Sequence, residues 1–176
     1  MNISSRIRHY VTAAAGVILG IIFDQVTKYL VVMNLKGQKP FVIWENVFQL
    51  EYLENRGAAF GLFQEQRLFF YLSVILICAL VIWFYSRVPM EKKFLPLRIC
   101  AVLITAGAIG NFLDRVRLNY VVDFLYFKLI DFPIFNVADI YVTVSAFAFF
   151  VLLAFYYKEK DFEQIFSGGK RRGNAD

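Results

Sequence analysis

Four long apolar stretches constrain the fold of this chain more than any other feature. A helix that crosses the hydrocarbon core of a bilayer needs roughly 20 mainly apolar residues. Residues 11–33, 68–86, 97–115 and 139–157 meet or approach that length, and the third ends on the charged pair Asp114-Arg115. The sequence therefore predicts an all-α membrane protein with four transmembrane helices. They form a single domain over residues 1–158, and a mobile basic cytoplasmic tail follows over residues 159–176.

The lysines and arginines predict how these helices are oriented. Eleven of them lie in the N-terminus, the link between the second and third spans, and the tail; seven lie on the other side, and Lys28 lies within the first span. The positive-inside rule therefore places both termini in the cytoplasm. Because orientation accounts for the net charge of +5, we expect no nucleic-acid partner.

The segment between the first two spans, residues 34–67, is too rich in aromatic and β-branched residues to be a simple linker. Residues 41–44 and 47–53 read as short strands. Trp44 and Tyr52 are suited to the interface between membrane and water. We therefore expect a small β-rich region at the outer face.

Two aspartates are the leading candidates for catalysis. Asp123 follows two valines, and Asp139 lies three residues after Asn136, at the start of the last apolar stretch. A carboxylate in hydrocarbon costs roughly 2.5–3.5 kcal/mol on insertion scales, so its presence is a functional hypothesis. Two carboxylates near one face can share a proton and activate water, as in aspartic proteases. Asn136 can also cap the last helix, a role compatible with function.

Two further polar groups precede the second span: Asp24 with Lys28, and Asn55 with Arg56. Asp24 and Lys28 are four residues apart, so they share a helix face and can pair. A structural pair and a direct role in the site remain equal alternatives. Asn55 and Arg56 offer hydrogen-bond donors just before the segment 57–61, whose glycines and alanines permit close backbone approach.

The third span carries a polar group at its end. Gly107 and Gly110 allow another helix or a ligand to approach the backbone. Asn111 and Arg115 are four residues apart and face the same way, whereas Asp114 is rotated by about 100° from Arg115. Asp114 is a third candidate acid of lower rank, because it can pair with Arg117 or another exposed base.

Other chemistries fit the residues less well. The only histidine, His9, lies on the cytoplasmic side, and no Cys/His cluster suggests a metal site. A proton-coupled transporter subunit could use the intramembrane acids as a relay. However, the chain has no internal repeat and its acids gather toward one face. A non-catalytic assembly factor is a third alternative, and it would tolerate Asp→Asn changes.

Five segments, in this order, resemble the lipoprotein signal peptidases (signal peptidase II): residues 24–28, 55–61, 110–115, 121–124 and 135–139. The resemblance implies an intramembrane aspartic endopeptidase of the bacterial cytoplasmic membrane, with its site toward the outer face. It would remove the signal peptide from diacylglyceryl-modified prolipoproteins, cutting on the N-terminal side of the lipidated cysteine.

The resemblance also implies roles for individual residues. Asp123 and Asp139 match the family's catalytic dyad. The family's polar active-site residues match Asn55, Asn111, Arg115 and Asn136. Its functionally important first-span pair matches Asp24 and Lys28. The resemblance implies no metal and no organic cofactor. We expect a monomer whose partners are lipid-modified prolipoproteins and membrane lipids.

Overall fold

The computed structural model describes residues 3–57 and 66–166. Four helices in this part are long and apolar enough to cross a membrane, namely Arg6–Leu35, Leu68–Arg87, Lys92–Leu118 and Val137–Tyr156. The four-span prediction is therefore confirmed. The helices are α1 Ile3–Leu35, α2 Arg67–Arg87, α3 Leu95–Leu118, α4 Val137–Val151 and α5 Glu159–Phe166, and the strands are β1 Phe41–Trp44, β2 Phe48–Asn55 and β3 Val121–Tyr126.

Helix α3 lies at the centre of the bundle and packs against α1, α2 and α4. Small residues make this possible. A Cβ on Gly107 would lie only 2.4 Å from the backbone oxygen of Ala138 on α4, and one on Gly20 of α1 would lie 2.9 Å from Cβ of Ala106. Helix α2 is peripheral, and no residue in its most apolar stretch is buried. A helix that is apolar all round and unburied in the protein is suited to a lipid environment.

The third span is longer at both ends than its predicted range of 97–115. A 3₁₀ turn, Lys92–Phe94, leads into α3, which then continues to Leu118. Arg98 is buried near the start and donates hydrogen bonds to the carbonyl oxygens of Pro89 and Glu91. Asp114 is buried near the other end in an ion pair. Because both charged residues have partners inside the protein, neither one ends the helix.

The three strands form one antiparallel sheet in the order β1-β2-β3. The two strands predicted between the first spans are present, and β3 is a third strand that the sequence did not predict. Its register with β2 places Asp123 opposite Leu53, and Val121 opposite Asn55. The sheet thereby brings a residue of the first outward loop beside a residue that follows α3.

The end of the bundle opposite the sheet holds the N-terminal part of α1 and the helix α5. Arg6 donates a hydrogen bond to the carbonyl oxygen of Ser86 at the end of α2. The carboxylate of Asp161 on α5 pairs with Lys93, and Ile165 is fully buried. Residues 159–166 are therefore a docked helix where the sequence predicted the start of a mobile tail. The remainder of that tail, residues 167–176, lies outside the described residues.

Candidate active site

Asn136 brings the two candidate catalytic aspartates together. Its Nδ2 donates to Asp123 Oδ1 at 2.6 Å, and its backbone N–H donates to Asp139 Oδ2 at 3.0 Å. Its Oδ1 accepts from the backbone N–H of Asp139 at 3.0 Å, which completes a capping box at the start of α4. The predicted cap is confirmed. The same fully buried residue holds a carboxylate on β3 and one on α4.

Two more asparagines complete the hydrogen bonds to the carboxylates. Asn55 Nδ2, at the end of β2, donates to Asp123 Oδ2 at 2.8 Å. Asn111 Nδ2, on α3, donates to Asp139 Oδ1 at 2.8 Å. Each of the four carboxylate oxygens thus accepts one bond from the protein. Since a carboxylate oxygen has two acceptor sites, each can still bind a water molecule or a substrate group.

The surroundings of Asp123 favour its protonated form. The side chain is 1% exposed. Burial raises the pKa of the Asp123 carboxyl to about 7, and the neighbouring charge of Asp139 acts in the same direction. The hydrogen bonds from Asn55 and Asn136 and the charge of Lys28 oppose this rise in pKa. Asp123 can therefore gain or lose a proton near neutral pH, which suits a general acid or base.

A buried group of charges lies next to the dyad. The ammonium of Lys28 contacts Asp24 Oδ2 at 3.0 Å, Asp114 Oδ2 at 2.9 Å and Asn111 Oδ1 at 2.8 Å. These contacts use all three donors of the ammonium. The predicted pairing of Asp24 with Lys28 is confirmed. The predicted pairing of Asp114 with Arg117 or another exposed base is wrong, because Asp114 points inward toward α1.

Each residue of this group connects to a segment that carries the dyad. Lys28 holds Asn111 Oδ1, which leaves the Asn111 amide nitrogen directed toward Asp139. Asp24 Oδ1 accepts from the backbone N–H of Ala138 at 3.0 Å, and Asp114 Oδ2 accepts from that of Val122 at 3.2 Å. The three charged residues therefore do not contact the dyad themselves. Each one bonds to a residue that contacts or adjoins one of the two aspartates, namely Asn111, Ala138 or Val122.

Two glycines of α3 allow the helices to meet this closely. The Gly107 site abuts the backbone of Ala138, as described above. A Cβ on Gly110 would lie 2.6 Å from Asp24 Oδ2. Both distances are shorter than real Cβ contacts allow. The prediction that Gly107 and Gly110 permit close approach is thus confirmed: Gly107 lies against helix α4, and Gly110 lies against Asp24.

A cavity of about 870 Å³ adjoins the dyad. Arg115 lines it, donates to the carbonyl oxygens of Gly57 at 3.2 Å and Asn111 at 3.3 Å, and lies 4.2 Å from the centre of the Phe70 ring. Arg56 also lines the cavity with a side chain that is 63% exposed. Of the segment 57–61, residues 58–61 lie outside the described residues.

The remaining walls of the cavity are largely apolar. Phe70 of α2 and Val144 of α4 both line it, so it extends between these two helices from the carboxylates. Leu53, Val121 and Phe135 line it on the side of the sheet. A large apolar cleft with a few convergent polar groups is typical of a ligand site. Among residues 3–57 and 66–166, no group of three or more His, Cys, Asp or Glu side chains could hold a metal ion.

Solved structures share this architecture. The chain is similar to two bacterial membrane enzymes solved by the in meso method. One has a TM-score of 0.69 and 29% identity, covering 94% of both chains. The other has a TM-score of 0.71 and 31% identity, covering 83% of this chain and 94% of the other. The fold and the cavity thus define a multi-pass membrane enzyme.

Sequence comparisons identify the family within that class. The family described as Signal peptidase (SPase) II matches residues 16–155. The lipoprotein signal peptidase of Clostridium tetani is 40% identical over 156 residues, which cover 86% of this chain and 97% of the relative. That of Streptococcus thermophilus is 42% identical over 138 residues, covering 78% and 87%. The chain belongs to the signal peptidase II family. This membership favours a protease over the transporter and assembly-factor alternatives.

Proposed function

We propose that the protein is an intramembrane aspartic endopeptidase that removes signal peptides from diacylglyceryl-modified bacterial prolipoproteins. It acts as a monomer and cuts on the N-terminal side of the lipidated cysteine. The observation that carries this proposal is the dyad itself: Asn136 holds Asp123 and Asp139 together beside a largely apolar cavity. The names of the two relatives reported above, both lipoprotein signal peptidases, support the substrate class.

The two carboxylates take different roles in this reaction. Asp139 lies in the first turn of α4 and accepts a backbone N–H there, where the helix dipole favours negative charge. Asp123 lies in the environment that raises its pKa to about 7. We therefore assign the shared proton to Asp123. Since like charges held close cannot both ionise, the pair titrates as one unit.

Hydrolysis then follows in two proton transfers. Asp139 accepts a proton from water as the water oxygen attacks the scissile carbonyl carbon, while Asp123 donates a hydrogen bond to the carbonyl oxygen. The tetrahedral intermediate collapses as the C–N bond breaks. The proton held by Asp139 goes to the leaving amine, and the dyad returns to one shared proton.

The neighbouring polar residues divide into two groups. Asn55, Asn111 and Asn136 are engaged with the carboxylates, so their role is to orient the dyad. Arg115 and Arg56 line the cavity and are the candidates for contact with the substrate backbone or the developing oxyanion. The apolar walls are suited to the lipid and the apolar side chains of the substrate.

We further propose that the dyad faces the outer side of the membrane and that both termini are cytoplasmic. The bias of Lys and Arg supports this orientation. Reporter tags at either terminus should therefore give a cytoplasmic signal, and a tag near Gln38 should give an external one. A cytoplasmic signal at Gln38 would contradict the orientation.

The decisive experiment uses the purified full chain and a synthetic prolipoprotein peptide that carries a diacylglyceryl cysteine. Asp123→Asn and Asp139→Asn should each abolish cleavage and leave a folded protein. Asp131→Asn is the matched control, because this exposed aspartate follows the same strand and should leave cleavage unchanged. Chelators should have no effect. Wild-type turnover in either dyad variant would refute the mechanism, and equal cleavage of an unlipidated peptide would refute the substrate class.

A further inference from the structure

Four side chains join the end of α1 to the strands β2 and β3, and we call them the Lys36–Glu54 cluster. The Lys36 ammonium lies 3.0 Å from Glu54 Oε1, and the Tyr52 hydroxyl donates to the same oxygen at 2.9 Å. The hydroxyls of Tyr52 and Tyr120 are 3.4 Å apart. The ammonium also lies 5.4 and 6.0 Å from the centres of these two rings, within the range of cation–π attraction.

The cluster adjoins the hydrogen bond that orients Asp123. Glu54 immediately precedes Asn55, and side chains alternate along a strand, so the two point to opposite faces of the sheet. Glu54 pairs with Val122 in the register of β2 and β3, directly before Asp123. Tyr120 immediately precedes β3. The cluster therefore fixes both strand ends, one residue away from the bond between Asn55 and Asp123.

We propose that Lys36 and Glu54 are positioning residues for hydrolysis: they hold the end of β2 where Asn55 can orient the carboxyl group of Asp123. This role rests on the proposed function, in which Asp123 carries the shared proton. Neither residue contacts the dyad. Glu54 also lies 3.7 Å from the guanidinium of the exposed Arg56, and the proposed path to Asp123 runs through the backbone of β2 and the side chain of Asn55.

The charges of the pair support each other. The hydrogen bond to Glu54 raises the pKa of Lys36, and the Lys36 ammonium lowers the pKa of Glu54. Both side chains are thus ionised at neutral pH. They are 51% and 30% exposed, and ion pairs exposed to this degree contribute little to global stability. Removing the pair should therefore leave the fold intact and reveal any effect on the site.

A weaker hydrogen bond from Asn55 should raise the pKa of the Asp123 carboxyl. The groups that act on this carboxyl are the carboxylate of Asp139, the ammonium of Lys28, the guanidinium of Arg115 and the amides of Asn55 and Asn136. Because the bond from Asn55 stabilises the ionised form, weakening it favours the protonated form. The upper limb of the pH–rate profile should then move to higher pH.

The test measures kcat and KM from about pH 5 to 9 for the full chain in detergent, with the diacylglyceryl peptide as substrate. Lys36→Met and Glu54→Gln should each lower kcat roughly three- to tenfold, the effect expected when one oriented hydrogen bond weakens, with KM nearly unchanged. The upper limb should shift upward in both variants. The double variant should be no slower than the slower single variant, and Lys36→Arg should restore most of the rate. Lys39→Met, a change at an exposed lysine three residues away, is the matched control and should match the wild type.

Two results would overturn the proposal. One is a wild-type rate and pH profile in both single variants. The other is a double variant whose loss is the product of the single losses, since that shows independent effects. Thermal unfolding of each variant checks the fold, and Glu54→Gln retains an acceptor for Tyr52 if Lys36→Met proves unstable. Asp123→Asn in the same assay separates the two proposals: its turnover would refute the proposed function, whereas its inactivity beside unaffected Lys36 and Glu54 variants would refute only the positioning role.

Discussion

Replacing Lys28 with methionine tests whether the buried charges support catalysis or only the fold. Lys28 is 3% exposed, and its ammonium satisfies two carboxylates and the Asn111 amide oxygen. Methionine occupies a similar volume and carries no charge. The change therefore leaves Asp24 and Asp114 buried without their shared counter-charge.

The expected loss of stability is large. Removing one partner of a buried ion pair costs about 3–5 kcal/mol, because the other charge remains buried and uncompensated. In a protein of this size each kcal/mol lowers Tm by roughly 2–4 °C. Lys28→Met should therefore lower Tm by about 10 °C. Lys128→Met, at an exposed position, should leave Tm unchanged.

A second substitution separates the effect of the buried charge on stability from the effect of Lys28 on the orientation of Asn111. Asp24→Asn in the Lys28→Met background removes one uncompensated charge and keeps an acceptor for the backbone N–H of Ala138. The double variant then holds one net negative charge, as the wild-type group does. It should recover about half of the lost stability or more. Its kcat should remain at least about tenfold below wild type, because Asn111 Oδ1 loses the ammonium and keeps only the weaker hydrogen bond from Asn136 Nδ2, at 3.1 Å, to orient the amide toward Asp139.

Thermal unfolding and cleavage of the diacylglyceryl peptide provide the two measurements. A double variant with both stability and kcat restored would show that Lys28 serves only the fold. A wild-type Tm in the Lys28→Met single variant would refute the energetic argument itself.

Three further predictions concern the dyad and the helix contacts. Asn136→Ala should lower kcat at least about 100-fold and Tm by several degrees, measured by cleavage and thermal unfolding, because it removes both the cap and the bridge between carboxylates. The wild-type rate should fall as pH rises through about 7, since deprotonation of Asp123 removes the acid. In Asn55→Ala this fall should move to higher pH. An unchanged pH–rate profile in Asn55→Ala would contradict the assignment of the proton to Asp123. Gly107→Ala should lower Tm more than Gly16→Ala, because a Cβ at 107 meets backbone at 2.4 Å whereas one at 16 meets a valine methyl at 3.1 Å.

The sequence predicts the four spans and singles out the two aspartates that the structure brings together, for a physical reason. A membrane helix must be apolar over its whole length, so its signal is local and survives without knowledge of the fold. Asp123 and Asp139 stand out because acids beside apolar runs are costly unless they are used. The capping role of Asn136 can be predicted equally well, since a cap lies within three residues of the backbone N–H that it satisfies.

The features that the sequence did not predict depend on distant contacts. Strand β3 is buried over its first four residues, so it lacks the alternation that marks a strand with one exposed face. The partner of Asp114 is Lys28 on another helix, whereas local spacing suggests only neighbours such as Arg117. The Lys36–Glu54 pair joins a helix end to a strand in the same way. Each becomes visible only when the helices are assembled.

The position of Lys28 affects the pKa of Asp123, the residue to which we assign the shared proton. Burial and the charge of Asp139 both raise the pKa of Asp123, whereas the charge of Lys28 lowers it. In the proposed reaction Asp123 keeps its proton and donates a hydrogen bond to the carbonyl oxygen, and a weaker acid is a weaker donor. With the ammonium in place the pKa of Asp123 is about 7. Without it the pKa would rise further, and Asp123 would donate a weaker hydrogen bond to the carbonyl oxygen. The residue that pairs with the buried carboxylates thus also limits the rise in the pKa of the proposed acid, Asp123.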